Sequence, residues 1–447
     1  MELLSTILVW ALSQTASEPL TLEEALKIAE QNAYSLKIAD NRLARAKEIE
    51  RSARGAFGPN VTLGGNVSRS DVRFPSSGGT GAPGGGGGPT STNQTTSQVT
   101  ASVIQPIDIS GTIGAGLNST VFLRRSQEAA IAAEKNNLRS QVRIAYYQVL
   151  QAEELVKVQE AGLIANKDRL AKAEIRLREG AIARFDVLRL ETEVKKSEQD
   201  LLEANTSVRL AKQVLNNTLA RPVETEFTVA AVEGFPTLEP SADQVVEAAI
   251  AQRPEIVQLD LLAKAAEKQA DFAKRGLAPS LGAFANYNRT FNGGGFNPEQ
   301  TLTVGLQLSY TVFDSGITKA QVKSAQKDAE QAQIQLEQVQ LAISLEARSA
   351  FLQASTAREA FSLAQKNVEL ATEALRLAQL RYDEGAGILL EVTVAQSDLT
   401  AARAGLVNAN YRYLSAFATL QKAIGSDSVK ALPAREPEVQ PAESPSP

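Results

Sequence analysis

The sequence predicts a mixed α and β fold in which each half of the chain carries two short strands and one long antiparallel helical hairpin. Three observations predict it: the chain repeats itself, its longest stretches keep a heptad step, and four short segments alternate apolar with polar residues. Phe57-Gly58-Pro59 matches Leu277-Ala278-Pro279 at an offset of 220, and Ser110-Gly111 matches Ser315-Gly316 at an offset of 205. The second offset then holds from Glu179-Gly180 against Glu384-Gly385 to Leu219-Ala220 against Ile424-Gly425. The first copy therefore carries fifteen extra residues between its anchors. The stretch from Ser76 to Gly88, ending in five glycines, has the composition of a flexible surface loop that absorbs them. Such duplication is an architecture to explain before any search for an active site.

Helices come next. From Gly111 to Arg178 there is no proline, and Leu138, Val142, Ala145, Val149, Ala152, Val156, Leu163, Leu170, Ala173 and Leu177 fall on one seam broken only by Gln159 and Asn166. Steps of four and three give a period of about 3.5, the coiled-coil signal. After Glu179-Gly180 the seam resumes as Leu190, Val194, Ser197, Leu201, Ala204, Val208, Ala211, Leu215 and Thr218. In the second copy it runs from Ile343 through Ala347, Ala350 and Ala354 to Tyr382, then from Ala395 through Leu399 and Ala402 to Ala423. The alanine-rich seam lets helices approach closely. At 1.5 Å per residue the longer helix of each pair reaches roughly 100 Å.

The strands are shorter. Leu302, Val304, Leu306, Leu308 and Tyr310 alternate with Thr303, Gly305, Gln307 and Ser309, and Val99, Ala101 and Val103 alternate with Gln98, Thr100 and Ser102. Their expected partners are Leu281, Ala283, Ala285 and Tyr287, and Val61, Leu63 and Val67. Alternation over about ten residues fits a transmembrane β-strand, apolar toward lipid and polar toward a lumen. It fits a half-buried soluble hairpin equally well. Tyr287, Phe291, Phe296, Tyr310 and Phe313 suit an interfacial aromatic girdle or ordinary sheet packing. If the strands span a membrane, four cannot close a barrel that holds water, and open edges in lipid leave backbone groups unsatisfied. Several chains must then share one barrel.

Composition excludes much. The chain has 447 residues, 46 Lys and Arg against 51 Asp and Glu, a net charge of −5, and no His or Cys. A nucleic-acid binder held by counterion release is not expected. Disulfides, thiol nucleophiles, imidazole bases and the usual zinc sites are ruled out, so the chain reads as no enzyme and calls for no cofactor. No P-loop or Rossmann fingerprint is present, and Gly84 to Gly88 lacks the lysine and helix start that phosphate binding needs. Leu3 to Leu12 reads as the apolar core of a secretory signal over residues 1–16, with Ala11-Leu12-Ser13 as cleavage site. No Lys or Arg precedes it, so a frayed helix or misplaced start is the competing reading. No stretch reaches the ~20 apolar residues of a membrane-spanning helix.

The order helix, Pro-bearing link, strand, loop, strand, Ser-Gly turn and long heptad hairpin, occurring twice, resembles the TolC-type outer-membrane efflux channel family. The motifs that carry the resemblance are Ala25-Leu26 with Asn32, Arg253-Pro254-Glu255-Ile256, the Pro59 and Pro279 links, Val312-Phe313-Asp314-Ser315-Gly316 and Arg381-Tyr382-Asp383-Glu384-Gly385. It covers about residues 20 to 430. The resemblance implies a homotrimer in the outer membrane with a shared twelve-stranded β-barrel and a twelve-helix periplasmic α-barrel. It implies a first repeat over 17–220, an equatorial link over 221–240, a second repeat over 241–425 and a Pro-rich disordered tail over 426–447. It also implies a passive exit duct of an efflux or type I secretion system. Its partners would be outer-membrane lipid, a periplasmic adaptor protein and an inner-membrane pump of RND or ABC type. A coiled-coil structural protein of the periplasm or cell surface is the alternative from the heptads alone.

In that family the hairpin tips form the periplasmic entrance. Here the tips are Glu179 to Asp186 and Glu384 to Glu391, with Gly180 and Gly385 reversing the chain. Exposed Ile182, Ile388 and Leu389 are expected to dock an adaptor, although turn geometry alone accounts for the glycines. By the resemblance, Glu391 occupies the place of a constriction-ring carboxylate, Asp186 that of a gate carboxylate and Tyr382 that of its hydroxyl partner across a protomer boundary. Glu391 could equally be a solvated helix-start carboxylate, and Tyr382 a packing residue of the seam. The pattern departs at Gly387, where the family has arginine, and at Val394, where it has a second acid. Arg184 is the cation expected to compensate.

Overall fold

The computed structural model describes residues 19–73, 91–232, 234, 236–238, 240–292 and 299–426. The expected signal, the glycine run, Phe296 and the tail after Ser426 lie outside them, as do Phe235 and Glu239 of the inter-repeat link. The element order is α1 (Leu22–Asn32), α2 (Tyr34–Gly55), β1 (Asn60–Arg73), β2 (Ser91–Ile107), α3 (Thr112–Arg178), α4 (Arg184–Thr218), α5 (Ala242–Gln252), α6 (Pro254–Lys274), β3 (Ser280–Asn292), β4 (Glu299–Ser309), α7 (Ile317–Asp383) and α8 (Leu389–Ile424), with a 3₁₀ turn at Arg275–Leu277. The long helices α3 and α7 are 67 residues each. The chain clusters into two compact units, each drawing on both sequence halves: residues 1–41, 128–257 and 337–447, and residues 42–127 and 258–336.

Backbone details recur at the two spacings seen in the sequence. Left-handed glycines end the long helices at Gly180 and Gly385 and precede them at Gly111 and Gly316; Ala220 matches Gly425. The short helices α1 and α5 each begin with a capping box, Thr21 with Glu24 and Ser241 with Gln244, which satisfies the first free amides of each helix. One expectation is corrected. The sequence reads as a single helix before each strand pair, whereas two are present, broken at Ala33 and at Arg253-Pro254. Pro254 restricts the residue before it and starts α6; Ala33 makes the same break with no sequence signal.

In the first unit every seam residue named above is buried or half-buried. One of the polar interruptions also finds a partner there: Asn166 on α3 donates from Nδ2 to the Ser197 hydroxyl on α4 at 2.7 Å. Short helices pack on the hairpins in two cores. Ala25 and Ala29 of α1 join Leu138, Val142, Val149, Leu215 and Leu219, and Val245, Ala248 and Ala249 of α5 join Ile343, Ala347, Leu420 and Ile424. Tyr146, fully buried, ties the first core to the inter-repeat link: its hydroxyl lies 2.8 Å from the Leu20 carbonyl and 2.7 Å from that of Ala230. Leu20 also bridges Val229 in parallel. In the second core Arg253, 5% exposed, is held by Glu255 and by Glu346 at 2.6 Å, which a buried guanidinium requires.

The second unit is built on a four-stranded antiparallel sheet in the order β1-β2-β3-β4. Its strands are 14, 17, 13 and 11 residues long, longer than the ten-residue alternation suggests. The register pairs Leu63 with Ala101, Ala101 with Tyr287 and Tyr287 with Leu302. Side chains alternate along a strand, so Val61, Leu63, Val67, Val99, Val103, Leu281, Ala285, Val304, Leu306 and Leu308 share one face. That face is open: Leu63 is 79% and Val304 72% exposed. The opposite face carries Thr62, Asn66, Ser102, Asn286, Asn288, Thr303 and Gln307, and Thr62 bonds Ser102 across β1 and β2. Phe284 lies across Gly305, where any added Cβ would meet its ring at 3.0 Å.

Burial pushes the Tyr146 hydroxyl up to about 12, and burial does the same for Tyr411. A phenol whose folded pKa exceeds its ordinary value near 10 holds its proton more tightly when folded. Its contribution is full below about pH 10 and lost as pH rises toward 12. Equilibrium unfolding should therefore show stability falling between pH 10 and 12, by about 2–3 kcal/mol from Tyr146. Tyr146→Phe should cost about 1–3 kcal/mol at neutral pH through the stranded carbonyls and shrink that alkaline loss.

Candidate functional site

The two hairpin tips belong to the first unit and share one construction. Each long helix ends as the glycine amide bonds three residues back while the next amide reaches five back: Gly180 N–H to Leu177 O with Ala181 N–H to Arg176 O, and Gly385 N–H to Tyr382 O with Ala386 N–H to Arg381 O. This is a Schellman end, and it needs the left-handed backbone, φ +74° at both glycines. The returning helices start at Arg184 and Leu389 with no side-chain cap. Asp186 and Glu391 sit in their first turns, where a carboxylate complements the helix dipole.

Glu391 Oε2 lies 3.6 Å from Arg381 Nη1, across the tip of its own hairpin, so Arg381 is the cation beside it within the chain. Arg184 is exposed. Gly387 makes the room: a Cβ there would stand 3.1 Å from both Glu391 Oε2 and Arg381 Cβ. Tyr382 is half-buried against Leu375, Val392 and Leu399, and the Arg176 guanidinium of α3 lies 4.9 Å from its ring centroid. Arg176 also reaches Asp383 at 3.4 Å. Hydrogen bonding to Tyr382 is the main reason the Arg176 pKa rises above its already high ordinary value. The two hairpins of one chain are thus joined by Arg176, Tyr382 and Asp383.

Further along, Arg169 donates to Gln396 at 2.9 Å and to Asn166 at 3.3 Å, extending the Asn166–Ser197 bond into a polar layer over three helices. Burial lowers the Arg169 pKa. A groove of about 270 Å³ between the hairpins is lined by Arg169, Lys172, Arg176, Tyr382, Asp383 and Leu389, among others.

Of the three apolar residues expected to be exposed, only Ile388 is. Ile182 and Leu389 are half-buried and pack with Leu170, Leu177, Ala173, Val187 and Leu190 in one cluster, so Leu389 of the second tip helps to close the first. The exposed apolar tip is instead Phe185, Leu188, Ile388 and Leu390, with Phe185 71% exposed. Phe185 lies off the heptad seam and could have been found by asking which apolar tip residues the seam leaves over. Among the described residues no group of His, Cys, Asp or Glu could hold a metal ion, and no helix is long and apolar enough to cross a membrane.

Comparison with known proteins matches the chain to the family described as outer membrane efflux protein, over residues 25–221 and 245–426. It is 24% identical over 331 residues to the outer membrane efflux protein BepC of Brucella suis, across 70% of this chain and 72% of that one. It is 23% identical over 431 residues to the cobalt-zinc-cadmium resistance protein CzcC of Cupriavidus metallidurans, across 94% and 93% of the two chains. Its fold is similar to the solved structure of the outer membrane protein VceC of Vibrio cholerae, with a TM-score of 0.74 at 20% identity over 91% of this chain and 96% of that one.

Gly180→Ala and Gly385→Ala should each cost about 1–2 kcal/mol from the left-handed backbone alone, because nothing crowds either position. Amide hydrogen exchange at the tips should quicken accordingly, while Gly→Asn at the same sites should be better tolerated.

Proposed function

The chain belongs to the outer membrane efflux protein family, and we propose that it is the passive exit duct of a three-part export system, assembled as a homotrimer. The observation that carries this reading is the sheet. Its apolar face is open across all four strands, and β1 and β4 each leave one side without a hydrogen-bond partner among the described residues. In lipid both features are tolerable only if the sheet closes on itself through other copies. Three copies give a twelve-stranded barrel with the Thr, Asn and Ser face lining the lumen. The helices supply a matching need: Leu341, Leu345, Leu352, Leu363, Leu370 and Leu377 make an exposed stripe on α7, which neighbouring copies cover when twelve long helices close a periplasmic tube. The offsets of 220 and 205 are then those of a duplicated unit, residues 17–220 and 241–425 joined by 221–240, which gives the trimer a pseudo-sixfold wall.

The chain has no nucleotide-binding motif, so energy enters through an inner-membrane pump and a periplasmic adaptor, which engages the tips. Ile388, with the turns at Gly180 and Gly385, is the docking surface; Ile182 and Leu389 support it from beneath, and Phe185 extends it. Glu391, Asp186, Tyr382 and Arg184 are the gate residues. Threefold symmetry brings three Glu391 carboxylates near one axis, a cation-selective filter, and Arg381 holds each against its own hairpin. CzcC, by its name, serves cobalt, zinc and cadmium resistance and BepC efflux; neither name assigns a cargo to this chain. An adjacent pump in the genome would identify the cargo of this chain.

Planar-bilayer recording tests the reading. Purified protein should give discrete single-channel steps with cation preference, and Glu391→Ala should weaken that preference several-fold. Absence of any step would favour a coiled-coil scaffold. Ile388→Asp should abolish export in cells while leaving membrane insertion unchanged.

A further inference from the structure

We propose that the loop-side rim of the apolar sheet face holds a phosphate group of an outer-leaflet glycolipid, with Arg289 as its principal ligand. The inference rests on the sheet being transmembrane, as proposed above, and adds a lipid site to it. Arg289 stands on the apolar face of β3, in the same alternating set as Leu281, Ala283, Ala285 and Tyr287. It follows Leu281 by eight residues, about 26 Å of strand at 3.3 Å per residue. The apolar band of an outer-membrane barrel is about 25 Å tall. Arg289 therefore sits at the band's upper edge, on the side of the β3–β4 connection and away from the helices. An arginine is costly at the bilayer midplane and tolerable at this rim, and such a side chain places its head among the lipid head groups.

Its neighbours form a polar opening in an otherwise apolar face. The register sets Arg289 opposite Val99 on β2 and Gln300 on β4, and Ser97 opposite Phe291. Ser97, Arg289 and Gln300 thus supply donors from three adjacent strands. Tyr287 and Phe291 flank Arg289 on its own strand, and its guanidinium lies 5.1 Å from the Phe291 ring centroid. That contact orients the guanidinium. The Nε atom is enclosed and has no hydrogen-bond partner among the described residues. Another arginine of this face, Arg69, has Asp71 at 3.8 Å. The lateral neighbours of Arg289, Val99 on the inner strand β2 and Gln300 on the edge strand β4, both come from the same chain. A planar fork bordered by aromatics at head-group height suits a phosphate oxygen, which the terminal nitrogens would meet because Nε is enclosed. The outer leaflet of this membrane is built of phosphorylated glycolipid, and its acyl chains would lie along Val99, Leu302 and Val304.

The experiment uses the full-length assembled protein in detergent and measures lipid binding by native mass spectrometry. The probes are lipid A with both phosphates, the same lipid after phosphatase treatment, and inorganic phosphate. Phosphorylated lipid A should bind at one per chain, at least tenfold tighter than the dephosphorylated form. Arg289→Gln should lose that preference, Arg289→Lys should keep part of it, and Arg69→Gln should leave it unchanged. Retention of the full preference in Arg289→Gln overturns the proposal, as does displacement of the lipid by millimolar inorganic phosphate, which would mark a free-anion site. If Arg289→Gln fails to assemble, Gln300→Leu serves in its place and should weaken the preference. Conductance of Arg289→Gln should equal that of the parent protein. Absence of channels from the parent would instead refute the duct, independently of the lipid result.

Discussion

Along β1 and along β4 a row of backbone amides and carbonyls points away from the sheet, and nothing in the described chain meets it. In water such an edge is a liability for aggregation; in hydrocarbon each unmet group costs several kcal/mol, about the worth of a hydrogen bond in an apolar medium. The rest of the architecture follows from how those edges are closed. A sheet this small cannot curl onto itself around a lumen, so closure requires copies. Copies arranged about one axis require the helices continuing from the strands to form a wall of their own. The alanine seams answer that need within a chain, and in the proposed trimer the exposed leucine stripe on α7 would answer it between chains.

The helical part illustrates how a polar residue in an apolar seam can be specific without being catalytic. Asn166 and Ser197 break two different seams, yet they face one another, and Arg169 and Gln396 join them to the second hairpin. Sliding either hairpin by one heptad would bury these groups unpaired, so the layer fixes register more than it adds stability. Below it, Arg176 stacks on Tyr382 and pairs with Asp383. Any opening of the tips that separates the hairpins must break this contact first, while the Arg381–Glu391 pair lies within one hairpin and can move as a body.

Much of the fold was legible in the sequence for a simple reason: seam and strand patterns are local. Every seam position chosen by the four-and-three step is shielded from solvent, and the alternating apolar positions from Val61 to Leu308 share a face in the observed register, with Tyr310 past the end of β4 and Phe284 and Ile104 on the other face. The break at Ala33 was not legible, because no proline or glycine marks it. The tips were legible in part. Gly180 and Gly385 announce the turns, but which apolar residues remain exposed depends on the second hairpin lying against the first. Leu389 is withdrawn by that packing and Phe185 is not. The resemblance gave Tyr382 a partner across a protomer boundary; its contact with Arg176 and the pairing of Glu391 with Arg381 within the chain depend on tip geometry that no local pattern carries.

Edge closure can be tested directly, because the chain has no cysteine of its own. With the strand order β1-β2-β3-β4, three strand spacings of about 4.8 Å separate β1 from β4 within a chain. That is beyond the reach of a disulfide, whose Cα atoms lie within about 7 Å. Cysteine pairs scanned along β1 and β4, one in each strand, can therefore join only different copies. If three chains share one barrel, some register must give a covalent closed trimer in the membrane and no larger species. Dimers alone, ladders that grow past three, or no linkage at any register would contradict the shared barrel on which this account depends.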